Sequence, residues 1–122
     1  MNKRLLVYYY KSMADFELSG VAIIAGWFQE YRIDSFARSM EPVKALTGLV
    51  YQPTLAWQEL KSLGVDAFEG LVIPGGNTNG FHDDLMSLIR EFNERGKLLA
   101  AICAGPQYLG KAGILNGKRF TA

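Results

Sequence analysis

Short apolar runs alternate along this chain with stretches whose apolar residues recur at helical spacing. Lys3 to Tyr10 carries Leu5, Leu6, Val7 and three tyrosines in one unbroken run, the pattern of a buried strand. Lys11 to Ala14 reads as a short loop. Asp15 is placed to cap a helix whose apolar set is Leu18, Val21, Ala22, Ala25, Trp27 and Phe28, with Glu17 in its first turn, facing the loop after the first strand. Tyr31 to Arg38 is a second strand candidate; Ile33 alternates with polar residues, and Phe36 breaks the strict pattern. Val43 to Leu46 and Leu49 to Tyr51 flank Thr47-Gly48, which predicts a hairpin with a two-residue turn.

Pro53 ends the hairpin, and Thr54 is placed to cap a helix running through Leu63, with Gly64 as its stop. Gly70 to Pro74 is a short apolar strand leading into Gly75-Gly76. Asp83 or Asp84 starts a helix with Leu85, Leu88, Ile89 and Phe92 on one face, ending near Gly96. Lys97 to Ile102 reads as another buried strand. Pro106 to Ala112 reads as a helix opened by proline, Gly113 to Gly117 as a turn, and Lys118 to Thr121 as the start of a further strand. Strands alternating with helices predict an α/β fold with a parallel sheet covered on both faces. Ligands in such sheets bind beyond the carboxyl ends of the strands, so the loops after Tyr10, Pro74 and Ile102 are the places to look for chemistry.

Composition narrows the field. With 122 residues, 49% hydrophobic and 20% charged, the chain has the make-up of one globular domain. Its 13 basic and 12 acidic residues leave a net charge of +1, so no field of one sign draws nucleic acid or an anionic membrane. No apolar run approaches the ~18 residues of a membrane span, and the apolar start is too short for a secretory signal. One cysteine and one histidine argue against an internal disulfide and a zinc site. A cytoplasmic protein is expected, in a reducing compartment where a lone thiol stays free.

Three places carry candidate chemistry. Ala101-Ile102-Cys103-Ala104-Gly105-Pro106 has the small-x-nucleophile-x-Gly layout of a nucleophile elbow. A strand that turns abruptly into a helix needs small residues at Ala101 and Gly105, and it lifts Cys103 clear of the sheet. The helix that follows offers backbone N–H groups that favour a thiolate. The alternative is a buried, inert cysteine at a strand end. Ile73-Pro74-Gly75-Gly76-Asn77 lets backbone approach a ligand closely, and amides such as those of Gly76 and Ala104 would suit an oxyanion. The same residues also fit a plain turn. Glu17 fits either a proton-holding partner of the thiol or an ordinary first-turn glutamate. His82, in a polar run before a helix, reads as a solvated surface histidine rather than a general base, and Trp27, Trp57 and the tyrosines read as core. Lys111, Lys118 and Arg119 read as a solvated basic face.

Asp15-Phe16-Glu17, Leu71 to Asn77 and Ala100 to Pro106, in this order and separation, resemble the ThiJ/PfpI superfamily of class I glutamine-amidotransferase-like proteins. The similarity is greatest to the branch containing the Parkinson-disease-associated deglycase and chaperone, whose hairpin after the second strand matches Val43 to Tyr51. The resemblance implies a flavodoxin-like three-layer α/β sandwich with a mostly parallel sheet. It implies that Cys103 is a nucleophile or redox-sensing thiol and Glu17 a carboxyl hydrogen-bonded to it. Gly75, Gly76 and Ala104 would line the oxyanion site. It further implies a homodimer that needs no metal or organic cofactor, and a small carbonyl compound as substrate. Two other functions stay open: a non-enzymatic redox-sensing stress protein or chaperone, and an amidase-like or peptidase-like hydrolase. The sequence departs from many relatives in having Ala104, not histidine, after the cysteine. The family domain normally runs on through further strands and a helix, so residues 1–122 are expected to form one family domain shortened at its C-terminal end.

Overall fold

A computed structural model describes residues 3–119. Four parallel strands make the sheet: β1 (Arg4–Tyr8), β2 (Arg32–Phe36), β5 (Gly70–Ile73) and β6 (Leu98–Ala101), in the order β2-β1-β5-β6. β1 and β5 lie inside the sheet and are apolar almost throughout, as burial on both faces requires. Register places Leu6 beside both Asp34 and Leu71, and Ile73 beside Ala101. A buried Asp34 accepts from Arg4 at 2.8 Å and so ties β1 to β2 at the end away from the loops.

The hairpin forms a separate two-stranded unit, β3 (Val43–Lys44) with β4 (Val50–Tyr51). Its connection is wider than the expected two-residue turn: Ala45 N–H donates to Leu49 O at 2.8 Å, and the Gly48 amide donates to Ala45 O at 3.0 Å. Gly48 has a φ of +89°, which a glycine adopts without strain.

Helices α1 (Asp15–Ala22), α2 (Trp57–Leu63), α3 (Asp83–Glu94) and α4 (Pro106–Lys111) connect the strands. The amphipathic α3 buries Leu85, Leu88, Ile89 and Phe92 against β5 and β6, as its spacing predicts. Two expected caps are not caps. Ala14 precedes α1, and Asp15 is the first helical residue, buried and bonded elsewhere. Thr54 hydrogen-bonds to Ser35 on β2, and α2 begins after Ala56, whose amide donates to Glu59 Oε1 at 2.9 Å. Side chains that reach a strand neighbour gain more than they would by closing a helix end alone.

The second half of the first predicted helix also departs from expectation. From Ile23 to Phe28 it widens into a π-helix, in which Ala25 faces inward and Gly26 lies against Ile33 of β2. Trp27, expected in the core, is 76% exposed, with Ile23, Ile24, Phe28 and Phe16 exposed beside it. Helical spacing alone does not say whether the opposite element exists to cover a stripe. Trp57, Tyr8 and Tyr10 do join the core as expected. β6 is half-exposed rather than fully buried, with Leu98 open to solvent, because β5 is its only partner among the described residues. Lys118 and Arg119 are exposed and not in a strand, and the remainder of that expected strand lies outside the described residues.

Candidate active site

The chain between β6 and α4 turns within residues 102–105. The Gly105 amide donates to Ile102 O at 2.8 Å, and the Ile102 amide to Ile73 O at 3.1 Å. A Cβ at Gly105 would stand 2.6 Å from Ile73 O and 2.8 Å from Ile102 N, so only glycine fits there. Cys103, inside the bend, takes a φ of +57°, a left-handed conformation that costs a non-glycine residue about 1 kcal/mol or more. The bend puts the free thiol in solvent, not in the core.

Gly75 packs directly beneath this bend. A Cβ there would meet Ala104 N at 2.8 Å, Ile102 O at 2.9 Å and the Cys103 Cβ at 3.1 Å. Its amide donates to Glu17 Oε1 at 2.8 Å, across 58 residues of sequence. Glu17 and Cys103 are thereby joined through one glycine, and among the described residues no hydrogen bond runs directly between the Glu17 carboxyl and the Cys103 sulfur, as the resemblance had implied one would. Gly76, with a φ of +124°, lies against the loop after β1, where a Cβ would meet Ser12 O at 2.5 Å. That loop is stitched to the Gly-Gly loop from both sides: Ala14 N–H donates to Gly75 O at 2.8 Å and Asn77 N–H to Ser12 O at 3.1 Å.

All five residues singled out from sequence therefore converge on one sheet edge, though not in identical roles. The Gly75 amide is taken by Glu17. Among the described residues the amides of Gly76 and Ala104 have no acceptor, so these two are free to donate. His82 does not join the cluster. It is half-buried rather than solvated, packed on Trp57 and Tyr8 with ring centres 5.9 and 6.3 Å away. Its Nδ1 accepts from Leu85 N–H, which makes it the N-cap of α3. Burial holds its imidazole below the ordinary value, so it stays neutral.

Three supports escaped the sequence reading. The hydroxyl of Tyr10 donates to the carbonyls of Pro74 and Gly75 and fixes the loop from beneath. Ser12 takes a φ of +65°, with nothing in Lys11-Ser12 to signal it. Asp15 accepts from the hydroxyls of Thr47 and Tyr51, both at 2.6 Å, and so locks the hairpin onto the start of the helix that carries Glu17. Burial pushes the Asp15 carboxyl up, but these donors and backbone amides outweigh it and hold it below its ordinary value. Tyr51 is pushed up to about 12, chiefly by its bond to Asp15. The cue for Asp15 was present: an acid two residues before Glu17, with Thr47 and Tyr51 on the hairpin.

Comparison with known proteins places the chain among relatives. An uncharacterised protein of Archaeoglobus fulgidus is 34% identical over 87 residues, 69% of this chain and 50% of its own. A deglycase of Pyrococcus abyssi is 31% identical over 96 residues, 76% of this chain and 55% of its own. The chain spans about half the length of the curated relatives it matches. The crystal structure of a DJ-1 superfamily protein from Agrobacterium tumefaciens superposes with a TM-score of 0.82 at 30% identity, over 94% of this chain and 61% of that one. The sequence profile of the DJ-1/PfpI family matches residues 3–122, and the chain belongs to that family.

Proposed function

We propose that Cys103 is a nucleophile toward small electrophilic carbonyl compounds such as 2-oxoaldehydes, or their adducts, with Glu17 as the proton carrier. The observation that carries this reading is the Glu17–Gly75–Cys103 junction, in which one glycine touches both the Glu17 carboxyl and the strained turn of a solvent-facing thiol. The sulfur attacks the aldehyde carbon, an S–C bond forms, and the carbonyl electron pair moves to oxygen. The thiol proton passes through Glu17 to that oxygen, giving a hemithioacetal. Amides of Gly76 and Ala104 stabilise the charge while it is on oxygen. Glu17 Oε1 is engaged by Gly75, which leaves Oε2 to move the proton from the former aldehyde carbon to the neighbouring one, while the hydroxyl proton on the former aldehyde carbon passes to the neighbouring carbonyl oxygen. Water then cleaves the resulting thioester, releasing a 2-hydroxy acid and the free thiol. Turnover of methylglyoxal to lactate that vanishes in Cys103→Ser and falls at least about 100-fold in Glu17→Gln is the expected result. Turnover unchanged in either variant would refute the assignment.

A redox-sensing role draws on one observation, the exposure of the thiol. Peroxide would oxidise Cys103 through sulfenic to sulfinic acid, beside Glu17. A gain of two oxygens on Cys103 with no carbonyl turnover would favour this role over catalysis.

The same reading includes a homodimer. Phe16, Ile23, Ile24, Trp27 and Phe28 form an apolar face of a kind that monomers rarely expose, and a second copy is the proposed cover. Light scattering should give twice the chain mass, and Trp27→Lys should lower it toward the monomer. Among the described residues no helix is long and apolar enough to cross a membrane.

A further inference from the structure

A cavity of about 330 Å³ opens at the same sheet edge but on the β1–β2 side, bounded by the ends of those strands and by residues 79–82. Cys103, Glu17 and Ala104 do not line it. The floor is aromatic. Tyr8 and Tyr10 stack with ring centres 5.7 Å apart, and Phe81 and His82 complete it. Both tyrosine hydroxyls are engaged, Tyr8 on Gly80 O at 2.6 Å and Tyr10 on the Pro74 carbonyl at 2.9 Å, and both side chains are buried, so they form a rigid backing behind the more exposed Phe81 and His82.

The rim is charged, and unevenly. Lys11, Arg38 and Lys44 border the cavity against a single acid, Glu41. Among the described residues none of these three cations forms an ion pair, whereas Arg4, Arg32 and Arg95 each do. Arg38 acts on the floor itself: its charge lowers the Tyr8 hydroxyl against the upward push of burial, and it adds to burial in disfavouring protonated His82. Neutral His82 accepts at Nδ1, so its Nε2 carries the proton, and that atom is buried with no acceptor among the described residues. A concave apolar floor with a few convergent polar groups is the ordinary form of a small-molecule site. Unpaired cations on the rim of an aromatic-lined cavity select for negative charge joined to a planar body.

We propose that this cavity binds a small organic anion, a carboxylate or phosphate on a flat apolar body, at a site separate from Cys103. Arg38 is the principal anion contact, with Lys11 and Lys44 beside it, and the half-buried Phe81 and His82 rings, backed by Tyr8, hold the body. Binding does not depend on the reaction proposed above.

Calorimetric titration at low salt with indole-acetate, benzyl phosphate and the neutral indole-acetamide tests this. At least one anion should bind, and the amide at least about tenfold more weakly. A preference between the two anions identifies the headgroup. Arg38→Gln should weaken the anion at least about tenfold and Lys44→Ala by a smaller factor, both with unchanged circular dichroism, while Cys103→Ser binds as the parent does. Failure of both anions at millimolar concentration, equal affinity for the amide, undiminished affinity in Arg38→Gln, or loss of binding in Cys103→Ser would each overturn the assignment.

Discussion

The turn that holds Cys103 and the helical face that holds Trp27 are built on opposite terms. At the turn every space is taken. Two glycines are pressed against backbone atoms at 2.6 to 2.9 Å from where a Cβ would lie, and carbonyls of two loops accept from amides across the gap. On the Ile23–Phe28 face, large apolar side chains stand in solvent with only Ala25 turned inward. The first region is held by close contacts among its own loops. The second is stable enough to form but gains nothing from its own side chains, so its free energy is available for association. Local density separates a closely packed turn from an uncovered apolar face.

The sharpest way to break the contrast is to crowd the closely packed turn. Gly105→Ala should cost about 3 kcal/mol or more, because Ile73 O and Ile102 N belong to rigid backbone. Equilibrium urea unfolding checks this; a loss below about 1 kcal/mol would mean that the bend relaxes freely. Asp15→Asn should cost about 2 kcal/mol by weakening the bonds from Thr47 and Tyr51. Its pH signature has a fixed sign. The folded carboxyl is depressed, so its contribution is complete above the ordinary value of 3.8 and is lost as pH falls through the depressed one. The acid limb of the stability profile should therefore flatten in Asp15→Asn.

Smaller effects refine the comparison. Cys103→Gly should raise stability by about 1 kcal/mol by relieving the left-handed strain, while Cys103→Ala should not. Thermal melts of both variants decide whether strain is stored at the thiol. His82 is held below its ordinary value of 6.5, so the stability it contributes is present above that pH and falls as the unfolded chain takes up a proton below it. His82→Asn, which keeps a cap, should lose that step. Trp27→Lys should change monomer stability by less than about 0.5 kcal/mol, since the side chain buries little, and should act on association instead.

Most strands and α3 were readable because their patterns are unambiguous: a continuous apolar run for β1, and four apolar residues on one face for α3. The elbow was readable for a different reason. Cys103 and Gly105 obey a local steric rule, and a small-x-Cys-x-Gly spacing states that rule in the sequence. Trp27, Asp15, Thr54 and His82 were misplaced because each has two lawful environments, and a linear pattern cannot say which neighbour arrives. Trp27 fits a buried stripe or an exposed one. Asp15 fits a cap or a cross-loop bond, and the hairpin that decides between them begins 28 residues later, at Val43.

By itself the sequence determined the alternation of strand and helix, the parallel sheet and the three loops at its carboxyl edge, because side-chain periodicity and glycine sterics act over a few residues. Only the tertiary structure decided that Glu17 meets Gly75 across 58 positions, that the Gly75 amide is thereby spent, and that Lys11, Arg38 and Lys44 ring one aromatic cavity. Those contacts join residues far apart in the chain, and the energy that selects them comes from packing the whole sheet.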